Sequence, residues 1–433
     1  MRVAILSLIE PAGEAGGLRG YLPIGGRSLL RHQIGLALSL GVKRIIVVAE
    51  GISGALVSLQ HVAESGGAQF HVVATARALV PLVAPEDDVI VLGDGLLVLP
   101  TDFTGLIEGG PAVLTLPVET ALALGYERID INHAGAGAMR LPGRIAAGLA
   151  DLPPEWHVHS ALLRLAVQAQ VPMRAVPAAM LDDGRWSIVR TEAEALPAER
   201  RWLALHTQPA NDESLAPGAR LGLFLVRRYG PAILHAGTRP TLVLCAAVVV
   251  GLLGVGSGWL GHDVAGFLLL GAAWLIERFG SVLAKVEREA LLASGIARQG
   301  SEIFGLLIDL GFVAVAAWRS DLPDVAGVPQ GATAFAPLLL VGGTRLARLA
   351  LPGRRWAASF EDRLLLGLGL AGASVLLPFD ATIGLAVLAL FGTCLFALRF
   401  TTGRSGKGDR PGGKLAASRS GEGSPNSRLT SER

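Results

Sequence analysis

Two groups of residues in this sequence are of types and spacings that could do chemistry. The first is the glycine-rich stretch Pro11-Ala-Gly-Glu-Ala-Gly-Gly-Leu-Arg-Gly20, taken with Asp94 just past the apolar run Val89-Ile-Val-Leu. Backbone amides of a glycine loop can cradle phosphates, and a carboxylate can hold the magnesium that bridges them. The second is a set of ionisable residues beside long apolar runs: Glu277, Arg278, Lys285, Glu287, Arg288 and Glu289. Glu302 and Asp309 follow, seven apart and on one helix face. Charges at a membrane edge need a reason, and function is one of them. Blander readings stand beside both groups. The loop can be a plain strand–helix connection with Asp94 as a turn residue, and the edge charges can be ordinary snorkelling side chains.

Composition says where such groups would sit. The 433 residues are 51% hydrophobic and only 17% charged, with a mean hydropathy of +0.50, too apolar for an ordinary soluble globule. A formal net charge of +2 gives no case for nucleic acid as a partner. Cys245 and Cys394 both lie in apolar runs, and two cysteines make neither a zinc site of the usual four-ligand kind nor a disulfide framework. Met1–Glu10 reads as a strand leading into a loop, not as a signal peptide.

The elements that must position the first group read as α/β. Val3–Ile9 is a buried-strand run. Ser28 caps an amphipathic helix through Leu40, closed by Gly41. Strand-like runs follow at Arg44–Ala49, Phe70–Ala74, Val89–Leu92 and Val113–Val118. Strands alternating with helices at this spacing predict an open, mostly parallel sheet with helices on both faces. Ligands of such sheets bind at the carboxyl ends of the strands, where the loop and Asp94 both fall. This domain is expected over residues 1–210.

Residues 240–400 carry six apolar segments, each near the roughly 20 residues that span a bilayer core. They are approximately Thr241–Leu260, Val264–Leu283, Ile303–Trp318, Ala332–Leu349, Leu364–Leu377 and Thr382–Leu398. The connections at Gly261–Asp263, Ser320–Gly331 and Phe379–Asp380 hold no Lys or Arg. The alternate ones hold Lys285, Arg288, Arg298, Arg345, Arg348, Arg354, Arg355 and Arg363. The positive-inside rule then predicts an all-α, six-helix transmembrane domain in the inner membrane with both termini cytoplasmic. Residues 211–239 are expected to be a linker with an interfacial amphipathic helix, Leu221–Leu234. Residues 401–433 are expected to be a disordered basic tail. No internal repeat is visible among the spans, which disfavours a transporter.

The run Leu22-Pro-Ile-Gly-Gly-Arg-Ser-Leu-Leu, with the strand ending at Asp94, resembles the sugar-phosphate nucleotidyltransferase family over roughly residues 1–205. The resemblance implies a nucleotidyltransferase-like fold, a nucleotide held at Gly13, Gly16, Gly17, Arg19 and Asp94, and Mg2+ on Asp94. Where that family has a late D-x-D-T-x-E-D segment, this chain reads Ile188-Val-Arg190-Thr-Glu192-Ala-Glu194. A cation at 190 would repel the metal that an aspartate there would bind.

The second group resembles the CDP-alcohol phosphatidyltransferase family, whose signature is D-x-x-D-G-x-x-A-R…G-x-x-x-D-x-x-x-D. Ala284-Lys285 fall on its A-R and Gly295 on its later glycine. Glu277, Gly280, Gln299 and Ile303 fall on its four aspartates. Thr238-Arg-Pro-Thr241 and Phe360-Glu-Asp-Arg363-Leu look like its inositol-lipid branch, where the transferase is fused behind a nucleotidyltransferase. This implies a CDP-alcohol site at Glu277, Lys285 and Arg298, with Glu277 as metal ligand. It also implies CTP or a CDP-alcohol as nucleotide, a lipid or polyol acceptor, a homodimer through the membrane domain, and phospholipid-type synthesis at the cytoplasmic face. One carboxylate in place of four should not hold two divalent ions. Three readings of this site stay open: ordinary snorkelling charges at a span end, a relic kept for packing, and a metal site rebuilt from Glu287, Glu289 or Glu302. For the whole protein the alternative is a non-catalytic relative that binds nucleotide or lipid and acts through partners.

Overall fold

Runs such as Val3–Leu8 and Ile45–Val48 bury both faces of a strand, and they set the centre of a sheet. In the computed structural model, residues 1–153, 156–207, 216–235, 240–291, 297–320, 332–350 and 355–405 are described. The expected tail beyond residue 405, Gly295, and the side chains of Glu287, Glu289, Arg298 and Gln299 lie outside the described residues.

The N-terminal half opens with β1 (Arg2–Leu8), the hairpin β2 (Pro23–Ile24) and β3 (Arg27–Ser28), then α1 (Leu29–Ser39), β4 (Arg44–Ala49), α2 (Gly54–Ser65) and β5 (Gln69–Val73). It continues with α3 (Ala76–Leu79), β6 (Asp88–Leu92), β7 (Leu96–Val98), α4 (Pro100–Ile107), β8 (Ala112–Pro117), α5 (Val118–Ala123) and β9 (His133–Pro142). It closes with α6 (Val158–Gln168), β10 (Met173–Ala175), α7 (Ala178–Asp182), β11 (Trp186–Ile188) and α8 (Glu192–His206). The Ser28 hydroxyl caps α1 by accepting the Arg31 amide, as the sequence suggests.

Seven strands form one sheet in the order β10-β8-β9-β6-β1-β4-β5. β1 pairs in parallel with β4 and β6, β4 with β5, and β8 with β10. β9 runs antiparallel to both β6 and β8, so the sheet is mixed. Alternate side chains of β1 feed opposite cores: Ala4, Leu6 and Leu8 on one face, Val3 and Ile5 on the other. The chain leaves β1 towards β4 and returns on its other side at β6. That reversal opens a crevice at the carboxyl ends of β1 and β6.

The helical half is α9 (Pro217–His235), α10 (Pro240–Trp259), α11 (Asp263–Leu291), α12 (Ala297–Arg319), α13 (Phe335–Ala350), α14 (Arg363–Leu376) and α15 (Phe379–Ser405). Among the described residues, four stretches are long and apolar enough to cross a membrane: Thr241–Trp259, Asp263–Val286, Gly300–Arg319 and Phe379–Phe396. α13 has 16 residues and α14 has 14, which gives about 24 and 21 Å against a core of roughly 30 Å. Among the described residues, six α-helices lie in the expected region, and four of them have crossing length. Stacked Phe267, Phe312 and Phe379 rings, 5.9–6.3 Å apart, mark the helical core.

The two halves share an apolar seam in which Leu29, Trp202 and Leu203 meet Val226 and Val286. Gly26, at φ +72°, lies at the tip of the β2–β3 hairpin, and a Cβ there would sit 2.3 Å from the Leu234 carbonyl oxygen. Only glycine lets the hairpin seat this closely on α9. Buried Glu199 fastens the seam, accepting the Gly25 amide at 2.7 Å and lying 2.9 Å from His235 Nε2. α9 buries the stripe Gly218, Gly222, Val226 and Gly230. It therefore acts as a connector clamped between the halves as well as an amphipathic helix.

Candidate functional site

β1 and β6 end side by side, and the chain just past β1 brings the Ile9 and Glu10 amides to the Asp94 carboxylate. Asp94 is 8% exposed. Its Oδ2 accepts the amides of Ile9 and Glu10, both at 2.9 Å. Its Oδ1 is buried and has no hydrogen-bond partner. Burial pushes its pKa up to about 6; the two amides and Arg19 pull it down, and Glu10 pushes it up. One oxygen of this carboxylate is fixed by two amides, and the other has no partner within the fold.

The glycine loop closes on itself between Pro11 and Leu18, with the Ala12 amide donating to the Gly17 carbonyl at 2.6 Å. Gly13 and Gly16 take φ values of +72° and +85°, and the space around Gly16 and Gly17 is open. Arg19 donates through Nε to the Pro11 carbonyl at 3.1 Å, and its Nη2 lies 3.6 Å from Glu10 Oε2. The structure thus gathers the glycine loop, Arg19 and Asp94 at one crevice. It adds three residues that sequence reasoning missed. Glu10 follows β1 directly, and His157 Nδ1 lies 3.5 Å from its Oε1. His159 borders Gly93, and burial holds its pKa below the usual histidine value.

Beside the loop, a cleft of about 280 Å³ opens over the ends of β1 and β4, with Leu8, Ile9, Tyr21, Glu50 and Ser53 on its walls. The Tyr21 and Ser53 hydroxyls meet at 2.6 Å across it.

The segment expected to carry a second metal aspartate does return to this end of the sheet. β11 pairs with β7, the Val189 amide donates to the Gly95 carbonyl at 2.9 Å, and Thr191 approaches Gly13. The pairing turns Val189 inward and sends Arg190 the other way, where its guanidinium lies against Gly125. The guanidinium of Arg190 is thus directed towards Gly125 and not towards Asp94.

Among the described residues, no three His, Cys, Asp or Glu side chains converge on a common point. Magnesium commonly takes one or two carboxylates and completes its shell with substrate phosphates and water. Asp94, with one oxygen left without a partner beside the glycine loop, fits that pattern and does not fit a self-sufficient metal cage.

The second group is arranged differently. Glu277 is 3% exposed; Ser301 donates to its Oε1 at 2.7 Å, and Arg278 Nε lies 3.9 Å from its Oε2. Gly280 packs on Val243 and Leu244 of α10, and Ile303 is 58% exposed. Lys285 is exposed near the end of α11. This donor set does not fit a pair of divalent ions. Glu302 and Asp309 share a helix face but not an environment, since Glu302 is exposed and Asp309 is buried. Asp309 instead takes Arg363 Nε on Oδ1 and Arg345 Nε on Oδ2, both at 2.5 Å. Arg363 also reaches Thr344 Oγ1 and the Phe360 carbonyl. Asp362 caps α14 and accepts the Gly218 amide at 2.5 Å, tying α9 to the helical core.

No family model matches the chain, and a search of curated proteins by sequence finds no match. In structure, the chain is similar to a UDP-glucose pyrophosphorylase from Acinetobacter baumanii, with a TM-score of 0.34 and 13% identity over 48% of this chain and 95% of that one. It is also similar to a UDP-glucose pyrophosphorylase solved with UDP-glucose, with a TM-score of 0.33 and 14% identity over 47% of this chain and 99% of that one.

Proposed function

We propose that this protein is a membrane-bound, transferase-like protein whose α/β half binds a nucleotide with magnesium at the β1/β6 crevice. The observation that carries the reading is the buried, unpartnered Oδ1 of Asp94 at the point where strand order reverses. In this reading the amides of Gly13, Gly16 and Gly17 receive phosphate oxygens, and Arg19 offsets their charge. Asp94 would hold the metal, with Glu10 nearby adding negative charge. Magnesium, when bound, would neutralise and polarise the phosphates. The nucleotide is CTP or a CDP-alcohol, and the acceptor a lipid or polyol at the cytoplasmic membrane face. The domain limits 1–210, 211–239 and 240–400, the six spans with both termini cytoplasmic, and a homodimer through the helical half belong to the same proposal.

For the helical half, one observation favours binding without the two-metal reaction. Both oxygens of Glu277 face protein donors, and the positions of two further expected ligands hold Gly280 and Ile303. A CDP-alcohol would then be held by cations, with Lys285 as a point charge and Arg298 as a forked donor. The test is calorimetric titration of the detergent-purified protein with CTP and with a CDP-alcohol, with and without magnesium. The reading expects CTP binding that needs magnesium and is lost in Asp94→Asn. It expects CDP-alcohol binding that survives EDTA and weakens in Lys285→Ala. Magnesium-dependent transfer abolished by Glu277→Gln would instead establish a rebuilt metal site in the helical half.

A further inference from the structure

Behind the β7–β11 ribbon lies a second cavity of about 280 Å³, and none of Glu10, Arg19 or Asp94 lines it. Its size is near the lower limit for small-molecule sites. Leu124, Ile188 and Pro197 give it apolar walls, and Arg201 stands exposed on its rim. Arg190 reaches in against Gly125, where a Cβ would lie 2.5 Å from its Nη1. Glycine at 125 leaves the space that the guanidinium fills.

The chemistry of the cavity is incomplete as it stands. Arg190 Nη2 is buried with no hydrogen-bond partner; the hydroxyl of Tyr126, itself only 4% exposed, lies by the Ile188 backbone and has no acceptor for its proton. Glu194 is the one carboxylate among the lining residues, and it accepts the Arg190 backbone amide at 2.8 Å. Buried polar atoms normally have partners, and Arg190, half-buried overall, has one guanidinium nitrogen that is buried without one. Two donors on one wall without acceptors point to an acceptor that arrives from solution. Two guanidiniums against one carboxylate favour an anion, and the planar fork of arginine suits the oxygens of a phosphate.

We propose that this cavity binds a small phosphomonoester without metal. Arg190 takes the phosphate from inside, Arg201 closes on it from the rim, and the Tyr126 hydroxyl donates a further bond. The apolar walls and Ser187 hold the body of the molecule. The site adjoins the nucleotide crevice through Thr191, which touches Gly13, yet it shares none of that crevice's charged residues.

The test uses the full-length protein in detergent with EDTA present, titrated by calorimetry with glycerol 3-phosphate and with inorganic phosphate. Saturable binding is expected, weaker by about tenfold or more in Arg190→Gln, partly restored in Arg190→Lys, and weakened a few-fold in Tyr126→Phe. Glycerol 3-phosphate should also protect the amides of Ser187–Thr191 from hydrogen exchange, a readout that stays open if Arg190→Gln does not fold. EDTA removes any metal, so failure of the magnesium–nucleotide reading leaves this result untouched. No saturable binding below about 10 mM, equal binding by a folded Arg190→Gln, or binding that requires magnesium would overturn the proposal.

Discussion

Replacing Asp94 with asparagine should make the α/β half more stable at neutral pH. The carboxyl's pKa in the fold is about 6, against an ordinary value of 3.8, so the fold favours its protonated form. Below about pH 4 both folded and unfolded chains carry the proton and there is no penalty. Between pH 4 and 6 the unfolded chain releases its proton first, and stability falls by about 1.4 kcal/mol per pH unit. Above pH 6 the loss is complete, at about 3 kcal/mol. Asparagine keeps an acceptor for the Ile9 and Glu10 amides and carries no charge to desolvate. For a unit of 150–250 residues, 1 kcal/mol moves Tm by about 2–4 °C. Asp94→Asn should therefore raise Tm by about 6–12 °C at pH 8 and leave it unchanged near pH 4. The assay is thermal unfolding across that pH range without added nucleotide or metal. A lower Tm for the variant at pH 8 would mean that the carboxylate is a structural anchor, and the reasoning that assigns it to a ligand would fail.

Three further outcomes follow from the geometry. Burial of the His32 ring, against its hydrogen bond to Ile24, lowers its pKa to about 4, so its contribution is present above pH 6.5 and is lost as pH falls towards 4. In Asp94→Asn the melting temperature should then climb from pH 4.5 to 6.5, and adding His32→Gln should flatten that climb. Asp309→Asn removes the counter-charge of buried Arg363 and should destabilise the helical half by about 3–5 kcal/mol, read as a drop in its melting temperature in detergent. An unchanged melt would show that the pair is not what holds α12 to α14. Reporter fusions after Phe400 and within 321–330 should lie on opposite sides of the membrane, and finding both on one side would remove the six-span arrangement.

Much of the sheet was legible because β1, β4 and β6 are buried on both faces and read as unbroken apolar runs. The Ser28 cap made α1 equally plain. β9 was not legible. Its sequence His133-Ala-Gly-Ala-Gly-Ala has little intrinsic strand preference, and its place comes from pairing with β6 and β8. The long helices followed from apolar length alone, whereas the start of α14 depends on the cap that Asp362 supplies. Arg19 stood out as the cation within the glycine loop, and Asp94 because it follows a strand-like run beside that loop. Glu10 is just as near, but carries no signal apart from its position after β1. His157 and His159 reach the crevice only because α6 returns its N-terminus to the sheet. The direction of Arg190 depends on the β7–β11 register, a pairing across about ninety residues that no local pattern encodes. The Asp309–Arg363 pair, fifty-four residues apart, is hidden for the same reason.

The most direct test of the nucleotide crevice is to count bound divalent ions with Mn2+ in place of magnesium, using electron paramagnetic resonance on the full-length protein with and without CTP. One Mn2+ per chain should bind tightly only when CTP is present, and that ion should be absent in Asp94→Asn. No CTP-dependent Mn2+, or the same tight ion in the variant, would contradict the magnesium–nucleotide reading.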